Sequence, residues 1–203
     1  MEEKKLTEKE SLELITQMIQ STKKNMKVGS GNQFLYWGYF TVALSLFIYI
    51  MGYTTHNNSW NWCWMLMFVF WILISLKAKR PVVTTYIDNV INRVWKIIGS
   101  LFIITVIGCI IFLAFNHYTS MILMMPLSLL YVSIGVSITG IIIKERWATG
   151  LPLFSFAIAF YMLESVYIGE RPTSSWVLLF GLSFIVMMII PGHILNSKEK
   201  KQC

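Results

Sequence analysis

Charge is scarce in this sequence. Only 13% of its 203 residues are Asp, Glu, Lys or Arg, 56% are hydrophobic and the mean hydropathy is +0.61. That balance excludes an ordinary soluble domain, where about a quarter of residues are charged. Cysteine is nearly absent: Cys63, Cys109 and Cys203 form no CxxC pair and no Cys/His spacing suited to a metal, so neither disulfides nor a zinc site is expected. An apolar h-region is missing from the start, where 11 charges fall in the first 27 residues. No cleavable signal peptide is expected, and the first apolar stretch becomes its own targeting signal.

What the chain has instead is six apolar stretches, read at 34–53, 60–76, 97–115, 120–143, 151–168 and 176–195, each near the length needed to cross a bilayer. Of the 17 Lys and Arg, 16 lie before the first stretch, in 77–96, at Lys144 and Arg146, or in the tail. The intervening segments hold only Arg171. By the positive-inside rule the cation-rich side is cytoplasmic. The expected fold class is therefore all-α: a polytopic membrane protein with six transmembrane helices, N-in/C-in, preceded by an N-terminal cytoplasmic amphipathic helix. The organisation is a helix and linker over 1–33, a membrane domain over 34–195 and a basic cytoplasmic tail over 196–203. The net charge of +7 and pI near 9.3 need no nucleic acid, because the cations flank apolar stretches at regular intervals as topology alone requires.

Tryptophan placement agrees with these boundaries, since indole favours the headgroup layer. Trp37, Trp95 and Trp147 fall at cytoplasmic starts of spans, Trp60, Trp62, Trp64 and Trp176 at outer starts, and only Trp71 lies deep in an apolar stretch. Membrane anchoring is the expected role of the seven belt residues.

Two cytoplasmic segments are patterned as amphipathic helices. Thr7 to Glu10 fits a capping box, and Leu12, Ile15, Ile19 and Met26 then share a stripe opposite Glu13, Gln17, Gln20 and Lys24. Such a helix either lies on lipid or on the bundle, or presents Leu12, Ile15 and Ile19 as a docking face to a partner. After Pro81, the residues Val83, Ile87, Val90, Ile91 and Val94 recur at helical spacing, which predicts a second interfacial helix or a cytoplasmic extension of span three.

Chemistry inside the spans is sparse. Glu164 is the one ionisable carboxylate there, about one turn from the outer end of span five, where it either reaches the interface to meet Arg171 or a headgroup, or joins His56, His117 and Glu170 in an outer-face proton or metal site. Gly135 and Ser137 make a G-x-S pattern, with His193 on span six. An intramembrane serine protease is not expected, because Ser137 lies roughly 25 Å from the outer face. No catalytic residue, cofactor or metal is assigned. Small residues read better as packing: Ser133 with Ser137, and Gly135 with Thr139, are small-x-x-x-small pairs, which makes span four the expected central helix. Gly99, Gly108 and Gly181 are weaker hints of contact. Pro126 and Pro191 are expected to distort spans four and six near their ends.

Glu10-Ser11-Leu12, Leu14-Ile15 and Met18-Ile19, then Phe34 and Trp37-Gly38, resemble the opening of uncharacterised multi-span membrane proteins of Bacteroidetes. The resemblance covers about the first fifth of the chain. It implies a bacterial inner membrane and no established activity; such proteins are often encoded beside a winged-helix regulator, which implies a signalling or accessory role. The sequence thus leads to a non-enzymatic interaction protein, with lipid and a protein partner or second copy as its contacts. A small-solute or ion transporter is the alternative, favoured by six spans and by the run Ser128, Ser133, Ser137 and Thr139 along span four.

Overall fold

The computed structural model describes residues 9, 12, 13, 16, 30–77, 86–116, 120–170 and 174–200. Every regular element among them is helical, and six helices are long and apolar enough to cross a membrane. Span one is a single α-helix over Ser30–Thr55. Span two begins as a 3₁₀ helix over Asn58–Met65, its first turn capped by the Asn57 side chain accepting from the Ser59 N–H at 2.9 Å, and continues as an α-helix over Leu66–Lys77. Span three covers Tyr86–Asn116. Span four is a 3₁₀ turn over Ser120–Leu123 and an α-helix over Met124–Ile142; span five is Arg146–Gly150 followed by Pro152–Tyr167. Span six runs as α-helix over Ser174–Phe184, π-helix over Ile185–Ile189 and α-helix over Ile190–Lys200.

Of the segment after Pro81, the part from Tyr86 on is helix continuous with span three, while Val83 lies outside the described residues. Span three is continuous from Tyr86, and its 31 residues make a rod of about 46 Å, longer than the roughly 30 Å hydrocarbon layer. In its first turns Ile87, Val90, Ile91 and Val94 are half-buried while Asn89, Asn92 and Arg93 are exposed, so one stripe is partly covered and the other is polar and open.

Packing orders the spans differently from the chain. Span two leans on span one, span one on span six, span six on span five, span five on span four and span four on span three. Spans two and three, consecutive in sequence, are thus at the two ends of this series. Span six has the largest buried share of its apolar stretch, 56%, against 44% for span four and none for span two. The most central helix is therefore span six and not span four. It touches spans one, four and five, and its Phe180, Phe184, Met187 and Met188 fill the main core with Phe34, Leu129, Val136 and Ala159. Span two is held to span one by aromatic faces, with Phe70 stacked on Phe40 at 3.8 Å and meeting Trp37 edge-on at 5.2 Å.

Close approach supplies what a hydrophobic force cannot supply between helices in lipid. A Cβ on Gly38 would lie 2.8 Å from Ile189 Cγ1, and one on Gly181 would collide with the Ser45 hydroxyl, so spans one and six meet through missing side chains on both partners. On span four a Cβ at Gly140 would be 2.5 Å from the Ala148 carbonyl carbon, which presses the start of span five against the end of span four. Gly135 meets Ile98 of span three, whereas no described atom comes within 4 Å of a Cβ at Gly99 or Gly108.

Buried hydroxyls are satisfied locally. Thr41 donates to the Trp37 carbonyl, Ser133 to that of Leu129, Thr139 to that of Gly135 and Ser183 to that of Leu179. Each bond spares a penalty of about 1–3 kcal/mol for an orphaned polar group. Ser155 reaches across helices, donating to the Ser183 carbonyl at 3.1 Å, and Thr41 also lies 3.9 Å from Met67 Sδ of span two. Tryptophans expected only as anchors divide in two: Trp176 is buried and Trp64 packs edge-on to Phe180 at 5.1 Å, while Trp62 and Trp147 are exposed. Trp71, the deep one, is also exposed.

Candidate functional site

Two places in the bundle bring polar groups together. The first joins spans one and six. Tyr39 and Asn32 are seven residues apart, hence on one face of span one, and His193 and Asn196 are three apart on span six. The Tyr39 hydroxyl lies 2.6 Å from His193 Nε2, with the rings edge-on at 5.9 Å, and Asn196 Nδ2 donates to Asn32 Oδ1 at 2.7 Å. The π segment lies immediately before this junction. Pro191 has no N–H for the Met187 carbonyl and its ring crowds that carbonyl, so the helix widens over Ile185–Ile189 and recovers afterwards. That extra residue sets the rotation of His193 and Asn196 toward span one. Pro126 sits in the first turn of the span-four α-helix, directly after the 3₁₀ turn over Ser120–Leu123, so the irregularity is confined to the end of the span and the missing N–H costs no α-helical bond.

The second place is the far end of span five. Glu164, with Leu153, Phe156, Phe160, Tyr161 and Tyr167, lines an open groove of about 850 Å³ along one face of the helix. Its carboxylate is exposed and no described residue pairs with it. The helix ends just beyond in a Schellman turn: Glu170 N–H bonds to the Ser165 carbonyl at 3.0 Å, Gly169 N–H to that of Val166 at 3.1 Å, and Gly169 takes φ +85°, which a side chain resists.

The remaining residues singled out from the sequence are dispersed. His56 is exposed in the turn after span one, at φ +50°. Ser137 donates to the Thr149 carbonyl at 3.2 Å, a bond between spans four and five, while His193 is engaged with Tyr39; neither is placed as a serine and its base. Leu12 is 64% exposed on helical backbone, where the Thr16 hydroxyl bonds to its carbonyl at 2.7 Å. Ile15, Ile19 and His117 lie outside the described residues. Among the described residues no group of three or more His, Cys, Asp or Glu is placed to hold a metal ion.

Sequence reasoning missed the Tyr39–His193 and Asn32–Asn196 pairs, although the seven- and three-residue spacings are plain in the chain; which spans face each other was the absent information. No protein-family model, curated protein or solved structure matches this chain.

Proposed function

We propose that this chain is a non-enzymatic accessory or signalling protein of a bacterial inner membrane, with both termini in the cytoplasm, and that it works by presenting its N-terminal amphipathic helix to a protein partner or a second copy. The observation that carries the reading is Leu12, a large apolar side chain left 64% exposed on the segment whose sequence pattern gathers Leu12, Ile15 and Ile19 on one stripe. The distribution of 16 of 17 cations supports the orientation. The interior supports a structural bundle, since its buried hydroxyls are bonded to backbone carbonyls.

The test is a photo-crosslinking residue at position 12 of the full chain in native membranes. A discrete protein adduct is expected, lost when Leu12, Ile15 and Ile19 are replaced by Ser while the bundle melts as before. Adducts with lipid alone would remove the reading.

One observation favours a transporter as the second reading: the π segment over Ile185–Ile189 interrupts the most buried helix, and interrupted helices line solute sites in transporters. Solute or proton flux in proteoliposomes that vanishes with His193→Phe would put this reading first. A tight bundle with no flux across a broad solute panel would end it.

A further inference from the structure

The groove on span five combines a long apolar face with a carboxylate near one end. It is larger than a second open groove, which lies between spans one and six and holds about 320 Å³. Its long part is apolar, and Phe156 and Phe160 meet at 4.9 Å to form its wall. Leu153 lies 11 residues from Glu164, about 16 Å along the helix, which matches the roughly 15 Å hydrocarbon depth of one leaflet. At the other end Glu164 is the only charged group among the described residues that line the groove, flanked by Tyr161 and Tyr167, both more than half exposed.

Charge selects the occupant. The three connecting segments at this end of the bundle, 54–59, 116–119 and 169–175, contain Arg171 as their only Lys or Arg, and Glu170 adds a second carboxylate. An anionic headgroup placed here would meet Glu164 across a layer of low dielectric and be repelled. An ammonium would be drawn both to the carboxylate and to the negative faces of the tyrosine rings. A primary ammonium also carries N–H donors for a charge-assisted bond to the carboxylate, which a quaternary ammonium cannot make.

We propose that this groove is a binding site for a primary-amine phospholipid of the phosphatidylethanolamine type, its ammonium on Glu164 between Tyr161 and Tyr167 and one acyl chain along Phe160, Phe156 and Leu153. The proposal rests on the membrane-embedded reading of the chain and is independent of any partner at Leu12.

The full chain is reconstituted in nanodiscs of equal phosphatidylethanolamine, phosphatidylcholine and phosphatidylglycerol, and the lipids retained on release into mild detergent are counted by native mass spectrometry. The wild-type protein retains the ethanolamine lipid in preference to both others. Glu164→Gln loses that preference, and Tyr161→Leu, which leaves the carboxylate in place, weakens it; a Gly99→Ala control keeps it. Unchanged preference in Glu164→Gln overturns the proposal, as does equal retention of the choline lipid, or a dimer in which a second copy covers the groove. Should Glu164→Gln fail to fold, Tyr161→Leu and the choline comparison decide. A protein soluble without detergent would instead overturn the membrane reading itself, whereas retention of lipid without headgroup preference overturns only the site.

Discussion

The Tyr39 hydroxyl and His193 Nε2 are 2.6 Å apart across 154 residues of chain. The contact closes span one on span six, the most buried helix of the bundle, and lies just beyond the π segment that rotates His193 into place. Asn32 and Asn196 repeat the same connection nearer the helix ends.

That contact is measurable as a coupling. Tyr39→Phe and His193→Phe, singly and together, are expected to show an interaction energy of about 0.5–1.5 kcal/mol in reversible unfolding from mixed micelles. Strict additivity would mean the pair contributes nothing to stability.

Pro191→Ala restores the N–H that the Met187 carbonyl lacks, so the π segment is expected to relax to α-helix and rotate all that follows by about 100°, one helical residue. A cysteine pair introduced at Asn32 and Asn196 should crosslink readily in the parent chain and poorly in the Pro191→Ala background. Equal crosslinking in both would show that proline does not set the register.

Glycine contacts separate cleanly by position. Gly38→Leu and Gly181→Leu should each lower bundle stability by about 1–3 kcal/mol, because Ile189 and Ser45 occupy the space a side chain needs. Gly99→Ala, with no described atom within 4 Å of its Cβ, should be neutral or stabilising by up to about 1 kcal/mol. Thermal melts in one detergent compare all three, and a loss at Gly99 equal to that at Gly181 would refute the packing order.

Lys144 occupies a position that suits glycine. At φ +58° it forms the left-handed turn closing span four, with Glu145 N–H on the Gly140 carbonyl at 2.9 Å and Lys144 N–H on that of Ile141 at 3.1 Å. Gly169 does the same for span five without a side chain. Lys144→Gly should gain about 0.5–1 kcal/mol and Gly169→Ala should lose about as much in equilibrium unfolding. A loss on Lys144→Gly would show that the cation anchors the turn by more than the strain it carries.

Legibility in the sequence depends on whether a signal belongs to one helix or to two. The six spans are legible because length and hydropathy are properties of a single segment; the extension of span three is legible because Val90, Ile91 and Val94 mark one stripe against Asn92 and Arg93. Ser137 and Gly135 draw attention to span four, yet the deepest helix is span six, whose apolar residues look the same in sequence whether they face Phe34 or a lipid tail. Trp64 and Trp176 sit at the depth expected of anchors and still serve as packing.

By itself, the sequence determined that the chain is helical and apolar enough to cross a bilayer six times, because backbone amides in lipid must be satisfied within each segment and that demand is written locally. Only the tertiary structure decided that span six lies at the centre, that Tyr39 meets His193 and that Glu164 closes a groove. Those are matters of which faces meet, and in a solvent as apolar as the side chains themselves hydropathy carries no record of them.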